Sequence, residues 1–502
     1  MLSEPSGPGK WCRHTHLNSG FVYIVHFINI FIISSRLRMK LWENGDGVGL
    51  HEKVEEFTSG DDIHLDQKLV EWDVVGSIAH ATMLNKIGIL TDSELIDLRK
   101  ALVRIIELNE KGKFILELKD EDVHTKIENT LTETLGSVGK KIHTGRSRND
   151  QVQVDLRLYT KEKLFRIESR LFALCRELVK FAEKNKWVPM PGYTHFQKAM
   201  PSSVGLWAMA YAESLMDDQR VLKAAFSIND QNPLGSAAGY GVPLNLDRDL
   251  TTRLLGFANL QNNVLYVQNS RGKIESIVIS ALAQIMLDLS RLSNDLIIYS
   301  TEEFGFFTIG EKFRTGSSIM PNKRNPDILE LVRGKMSTVT AGVNQTIEII
   351  KNLPSGYHRD VQEAKGPLIK SLAITQESLE MLALVFSEIG VNAERLSASF
   401  TTQIFATDEA FKLVAQGIPF RDAYKHVDYN FQKYQKGSPE EIIKKRNYKG
   451  TTGNLGIMEM RKRLEREAKI TEDKESGFRA TIGSLINGTA SAVLQPAQPP
   501  AQ

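Results

Sequence analysis

Residues 148–187 read RNDQVQVDLRLYTKEKLFRIESRLFALCRELVKFAEKNKW, forty positions without a glycine or a proline. Leu156, Tyr159, Leu164, Ile167, Leu171, Leu174 and Val179 recur at helical spacing, which marks one apolar face along the whole stretch. Such a run is far longer than an ordinary globular helix and points to a bundle of long helices. Residues 273–304 repeat the pattern with Ile277, Ala281, Ile285, Leu289, Leu292 and Leu296. Residues 204–228, 328–353 and 368–389 complete a set of five. No alternating strand pattern covers much of the chain. The fold expected is mostly α, with a central five-helix bundle whose spare apolar faces are buried by self-association.

Around this bundle the 502 residues divide naturally into regions. Residues 39–145 read as a smaller helical domain, with helices near 68–87, 91–112 and 124–135. Residues 146–395 hold the bundle, and residues 396–487 form a charged helical region. The tail, 488–502, is rich in Ala, Pro and Gln, has nothing to bury and is expected to be disordered. Residues 1–38 do not match the rest. Their apolar stretch around Phe21 to Ile33 is short and interrupted for a membrane span, and no small-residue cleavage site follows it. The reading adopted is that the functional chain starts at Met39 and that residues 1–38 are a misassigned or dispensable extension, with a targeting segment as the alternative.

Composition removes several function classes. Lys plus Arg total 63 against 61 Asp plus Glu, so no global field favours nucleic acid. The basic run 444–449 is interleaved with glutamates and reads as a solvated helix face. The two cysteines, Cys12 and Cys175, form no CxxC, which excludes zinc ribbons and dithiols and suggests a reducing, cytoplasmic setting. The glycines near 45–49 and 239–241 lack dinucleotide-motif spacing, and neither a Walker A loop nor HExxH is present.

Chemistry concentrates in four polar segments. Residues 315–327, TGSSIMPNKRNPD, combine a flexible Gly-Ser-Ser stretch, a Lys-Arg pair and two prolines ahead of a helix for which Asp327 is a candidate N-cap. Donors and cations feeding a helix N-terminus suit a carboxylate-rich ligand. Residues 141–151, KIHTGRSRNDQ, lead into the longest helix with more arginine than a capping loop needs. Residues 190–201, MPGYTHFQKAMP, present His195 between prolines, and residues 353–365 place an aromatic, cationic loop between two helices.

The pattern Gly-Ser-Ser-x-Met-Pro-x-Lys-x-Asn-Pro resembles the signature of the fumarase/aspartase superfamily. His-Thr-Gly-Arg-Ser-Arg-Asn-Asp-Gln at 143–151 is close to a fingerprint of the argininosuccinate lyases within it. Matches at Glu121-Asp-Val-His-Thr125 and in the Asn232–Gly239 turn extend the likeness over roughly residues 39–486. The resemblance implies a three-domain lyase fold, a homotetramer with active sites drawn from three subunits, and no metal or organic cofactor. It implies reversible β-elimination of argininosuccinate to arginine and fumarate through an aci-carboxylate, the last step of arginine biosynthesis, and neither a nucleic-acid nor a membrane partner.

By the same resemblance Ser317 is the base, and Lys323 and Asn325 stabilise the intermediate. His195, oriented by Glu330 of a neighbouring subunit, handles a proton, while which group delivers the acid proton stays open. Thr194 binds a substrate carboxylate, as do Arg146, Arg148 and Asn149. Tyr357, Gln362 and Lys365 hold the arginine end, with Asp66 from the entry segment. Many members carry an acid where this chain has Ala364, and a serine common in the entry segment is replaced by Asp61 or Asp62. The alternatives are another fumarate-releasing lyase (adenylosuccinate lyase, fumarase or aspartase) and a non-catalytic, crystallin-like oligomer.

Overall fold

The computed structural model describes residues 51–430, 433–434 and 437–489. The expectations for residues 1–38 and for the tail beyond residue 489 lie outside them. The chain divides at Thr58/Ser59 into two compact units. Of the first, a short helix that begins at Glu52 is described.

In the second unit a short helix, Asp62–Asp66, precedes the longer α1 (Val70–Lys86), α2 (Asp92–Glu110) and α3 (Val123–Leu135). The bundle follows as α4 (Arg148–Lys184), α5 (Val204–Asn229), α6 (Lys273–Tyr299), α7 (Asp327–Ile350) and α8 (Lys365–Glu388). All five long helices of the sequence reading are present. α8 starts three residues earlier than read, because Pro367 falls in its first turn, where a missing N–H costs nothing. The last helix, α9 (Ile457–Asn487), lays Phe478 against Phe165 of α4 and Trp72 of α1.

Local chemistry sets where these helices start. Ser147 and Asp150 form a reciprocal capping box that fixes the start of α4. Ser203 caps α5 through Leu206 N–H at 3.1 Å, and Asp122 caps α3 through Thr125 N–H at 2.7 Å. Asp327, expected as a cap, is instead the first residue of α7. Pro326 occupies the cap position without a side-chain bond, and the Asp327 carboxylate turns to the Thr315 hydroxyl.

The bundle alternates up and down between two ends, called here the head and the base. Leu158, Phe172, Leu282, Ile285, Leu289, Leu372 and Leu379 lie fully buried between its helices. Each such side chain contributes about 1.5–3 kcal/mol by leaving water. At the head, Gly272 opens α6 with φ +75°, and a Cβ there would lie 2.3 Å from Ile350 Cγ2, so the close approach of α6 and α7 needs a glycine. At the base, Trp207, Tyr299, Phe307, Phe181 and Phe386 pack ring against ring. Several apolar side chains on the outside of the bundle stay uncovered: Leu331 is 61% exposed, with Ile347, Leu384 and Leu287 each above 40%.

Among the described residues, strand is confined to two-stranded pieces. β1 (Pro189–Thr194) and β2 (Gln197–Ser203) make an antiparallel hairpin beyond the base end of α4. β3 (Thr315–Gly316) pairs with β4 (Arg324–Asn325) and closes the loop between them. Among the described residues one helix, α6, is long and apolar enough to cross a membrane, yet 67% of that stretch is buried inside the bundle.

Candidate active site

Seven of the expected site residues gather at the head. Lys365 opens α8 with its ammonium almost wholly enclosed, 2.6 Å from Asp66 and 3.1 Å from Asp62. Burial disfavours its charge, but the two carboxylates outweigh burial and raise its pKa. Asp66 also accepts Val123 N–H at 3.2 Å, which ties Lys365 to the start of α3. Asp62, from the entry segment, thus supplies a second carboxylate to Lys365 although position 364 is an alanine.

Asp122 ties the start of α3 to the 141–151 segment. One oxygen caps α3 and the other accepts Arg148 Nη1 at 2.8 Å, with Glu121 at 3.1 Å from the same guanidinium. Burial opposes the Asp122 charge, and His124 and Arg148 overcome it to hold the carboxyl below its ordinary range. Arg146 donates to Ser77 at 2.9 Å and is 8% exposed. Buried His80 donates to the Thr144 carbonyl at 2.9 Å; burial first, then Arg146, push its pKa well below the usual imidazole value, so it stays neutral. Asp150 accepts the N–H groups of Ser147, Gly235 and Ala237, each at 2.9 Å. That clamp fastens the 232–239 turn to the arginine loop. Burial pushes the Asp150 carboxyl up to about 6 against the pull of these donors. Asn149 lies beside them on the first turn of α4. Tyr357 faces Arg271 at 5.5 Å from ring to guanidinium, and Gln362 lies on the short helical segment leading to Lys365.

Thr194, His195, Ser317, Lys323, Asn325 and Glu330 occupy the other end. His195 and Phe196 form the two-residue turn of the β1–β2 hairpin with φ of 54° and 59°. Both centre positions of this turn type require positive φ, so two side-chain-bearing residues there carry local strain and present the imidazole to solvent. A cavity of about 500 Å³ lies under the turn, between His195, Tyr193, Trp207, Asn294 and Tyr299. Ser317 Oγ accepts Met320 N–H at 3.0 Å and Ile319 N–H at 3.3 Å. Two amides on one hydroxyl oxygen stabilise negative charge there, whereas Ser318 is exposed. Lys323 and Glu330 are exposed, and Asn325 reaches back to the Gly316 carbonyl.

The two sets do not meet within one chain. The 37 residues of α4 separate Arg148 from the hairpin by about 55 Å of helix. The 24 residues of α8 separate Lys365 from the Ser317 end by about 35 Å, where Lys312 meets Glu388 at 3.2 Å.

Sequence reasoning missed the buried residues behind the head. Asp73, Ser77 and His80 share one face of α1, and Asp155 faces them from α4. The available signal was polar residues spaced four and three apart inside an otherwise apolar helix.

Residues 52–341 match the profile of a family described as Lyase. Among solved structures, an EDDS lyase in complex with formate superposes with a TM-score of 0.72 at 22% identity, covering 89% of this chain and 96% of that one. A class II fumarase from Schistosoma mansoni gives 0.64 at 16% identity, covering 78% and 93%. The fold is that of the helical lyases. The argininosuccinate lyase of Phocaeicola vulgatus is 44% identical over 419 residues, 84% of this chain and 93% of that protein. That of Thermotoga neapolitana is 44% identical over 388 residues, 77% and 97%. The chain belongs to the argininosuccinate lyase family.

Proposed function

We propose that the protein cleaves argininosuccinate to arginine and fumarate by β-elimination, in an oligomer, most simply a homotetramer, that joins the head of one subunit to the base ends of others. The observation that carries the reading is the division of the site: anion-binding groups at the head, proton-transfer groups at the base, tens of ångströms apart. Only neighbouring copies can bring them together, and the uncovered Leu331, Ile347, Leu384 and Leu287 supply apolar surface for that contact.

In the assembled site Arg146, Arg148, Asn149 and Thr194 bind succinyl carboxylates, while Tyr357, Gln362 and Lys365 hold the arginine end. Asp66 fixes Lys365. The proton removed lies α to a carboxylate and is weakly acidic, so the dianionic intermediate needs donors already in place. Lys323 and Asn325 fill that role. Ser317 takes the proton, its alkoxide supported by the Ile319 and Met320 amides and by Lys323. His195, oriented by Glu330 of another copy, serves the leaving nitrogen, and the 315–327 loop closes over the substrate. Neither redox chemistry nor an electron sink enters this scheme. We place the enzyme in the cytoplasm, in line with the buried free thiol of Cys175.

The test is fumarate absorbance after mixing the purified protein with argininosuccinate. Release supports both reaction and substrate. A folded protein inert to argininosuccinate but active on adenylosuccinate, malate or aspartate overturns the substrate, and one inert to all four favours a structural oligomer.

A further inference from the structure

Asp155 is 1% exposed, and no N–H or O–H among the described residues donates to either of its carboxyl oxygens, whose one hydrogen-bond contact is the Asp73 carboxylate. Its Oδ2 lies 3.7 Å from His124 Nδ1, but that nitrogen already bonds Asp73 Oδ2. One polar atom from each of Asp73, His124 and Asp155 lies within 4.8 Å of the other two. Two buried carboxylates therefore face one imidazole, and only one of them is served by it.

The groups around Asp155 are Asp73 and Ser77 from α1, His124 from α3, Arg146 from the loop before α4 and Asp66 from the helix Asp62–Asp66. Arg146 spends Nη1 on Ser77, and no N–H reaches Asp155. An ionised carboxylate enclosed without a donor is untenable and takes up a proton. Protonated, Asp155 gains an O–H, and Asp73 is the acceptor at hand. Burial, then Asp73, push the Asp155 carboxyl well above its ordinary range. Burial acts the same way on Asp73, but His124 and Arg146 reverse it and keep that group ionised.

Asp73 matters because it links two site segments. Its Oδ2 holds His124, two residues along from Asp122 of the Asp122–Arg148 pair. Its Oδ1 accepts Ser77 Oγ at 3.2 Å, and Ser77 in turn accepts Arg146. We propose that Asp155 is a buried neutral carboxylic acid whose O–H donates to Asp73, making it a positioning residue that sets the geometry of His124 and Arg146 for substrate carboxylates. The effect on turnover rests on the lyase reading; the protonation state does not. The same trio offers three donor atoms to a divalent cation, yet His124 Nδ1 is already hydrogen-bonded to Asp73 Oδ2, which leaves no room for an ion between them.

Two substitutions and one spectrum decide the matter. Asp155→Asn keeps the shape and an N–H donor, whereas Asp155→Leu keeps the volume and removes the donor. With argininosuccinate, the Asn variant is expected within about threefold of wild-type kcat/KM, and the Leu variant down by about tenfold or more, mainly through KM. In infrared spectra at pH 8 the wild type shows a buried carboxylic-acid carbonyl band, part of which disappears in Asp155→Asn. Absence of that spectral change overturns the proposal whatever the activity. So does an Asn variant that fails to fold or is as impaired as Leu, or stoichiometric metal in the purified protein that Asp155→Asn removes.

Discussion

Mixing two inactive variants tests the shared site directly. Ser317→Ala removes the proposed base from an exposed loop, and Asn149→Ala removes a donor whose side chain makes no intramolecular bond among the described residues. Each variant alone is expected at about 1% of wild-type activity or less, the usual cost of one preorganised donor or more. Asn149 and Ser317 lie at opposite ends of the bundle, so in the proposed assembly every site takes them from different subunits. When the variants are unfolded together 1:1 and reassembled at random, each residue of a site is wild type half the time, and about one quarter of sites are intact. The mixture should therefore recover about 25% of wild-type turnover in the fumarate assay, from components that separately show almost none. A control sharpens the number. The double variant mixed 1:1 with wild type also gives about one quarter if the site is shared, but about one half if each chain holds a complete site. Recovery that stays at the level of the single variants, with mixed oligomers demonstrated by mass, refutes the division of the site.

Other outcomes follow from single contacts. Ser317→Ala should abolish turnover with substrate binding intact, while Ser318→Ala keeps most of it; the reverse order by steady-state kinetics assigns the base to Ser318. Lys365→Met leaves Asp62 and Asp66 facing each other without a cation, and breaking such a buried pair costs about 3–5 kcal/mol, readable as a lower urea midpoint. An unchanged midpoint would mean that the pair is solvated. Asp218 is pushed up to about 7 by burial first and then by Asp288. Its folded pKa exceeds the unfolded value, so the native state holds a proton that the unfolded chain releases, and stability falls as pH rises through that window. Asp218→Asn should raise Tm at pH 8, with the gain fading toward pH 4; an equal gain at both pH values contradicts the assignment.

Much of this was written in one dimension. The five bundle helices were legible because α4 and α6 hold an unbroken apolar face over many turns, a signal that tertiary context rarely overrides. The polar segments stood out because Arg146 and Arg148, or Lys323 beside two prolines, exceed what a capping loop needs. The start of α7 was harder, since Asp327 and Pro326 compete for one position and only the Thr315 contact decides between them.

What the chain by itself determined is the set of parts: long helices that must pack lengthwise, and loops of donors and cations at their ends. Helical periodicity is a local property, carried by each residue and its neighbours three and four positions away. Only the tertiary structure decided which loops share an end. The up-and-down path of α4 to α8 puts Lys365 beside Asp62 and Asp66, some 300 residues earlier, and sends Ser317 and His195 to the opposite pole. It also turned Asp73, Ser77 and Asp155 from ordinary polar residues in helices into the buried support of Arg146 and His124. Burial and proximity arise from how helices cross in space, and no spacing along the sequence encodes them.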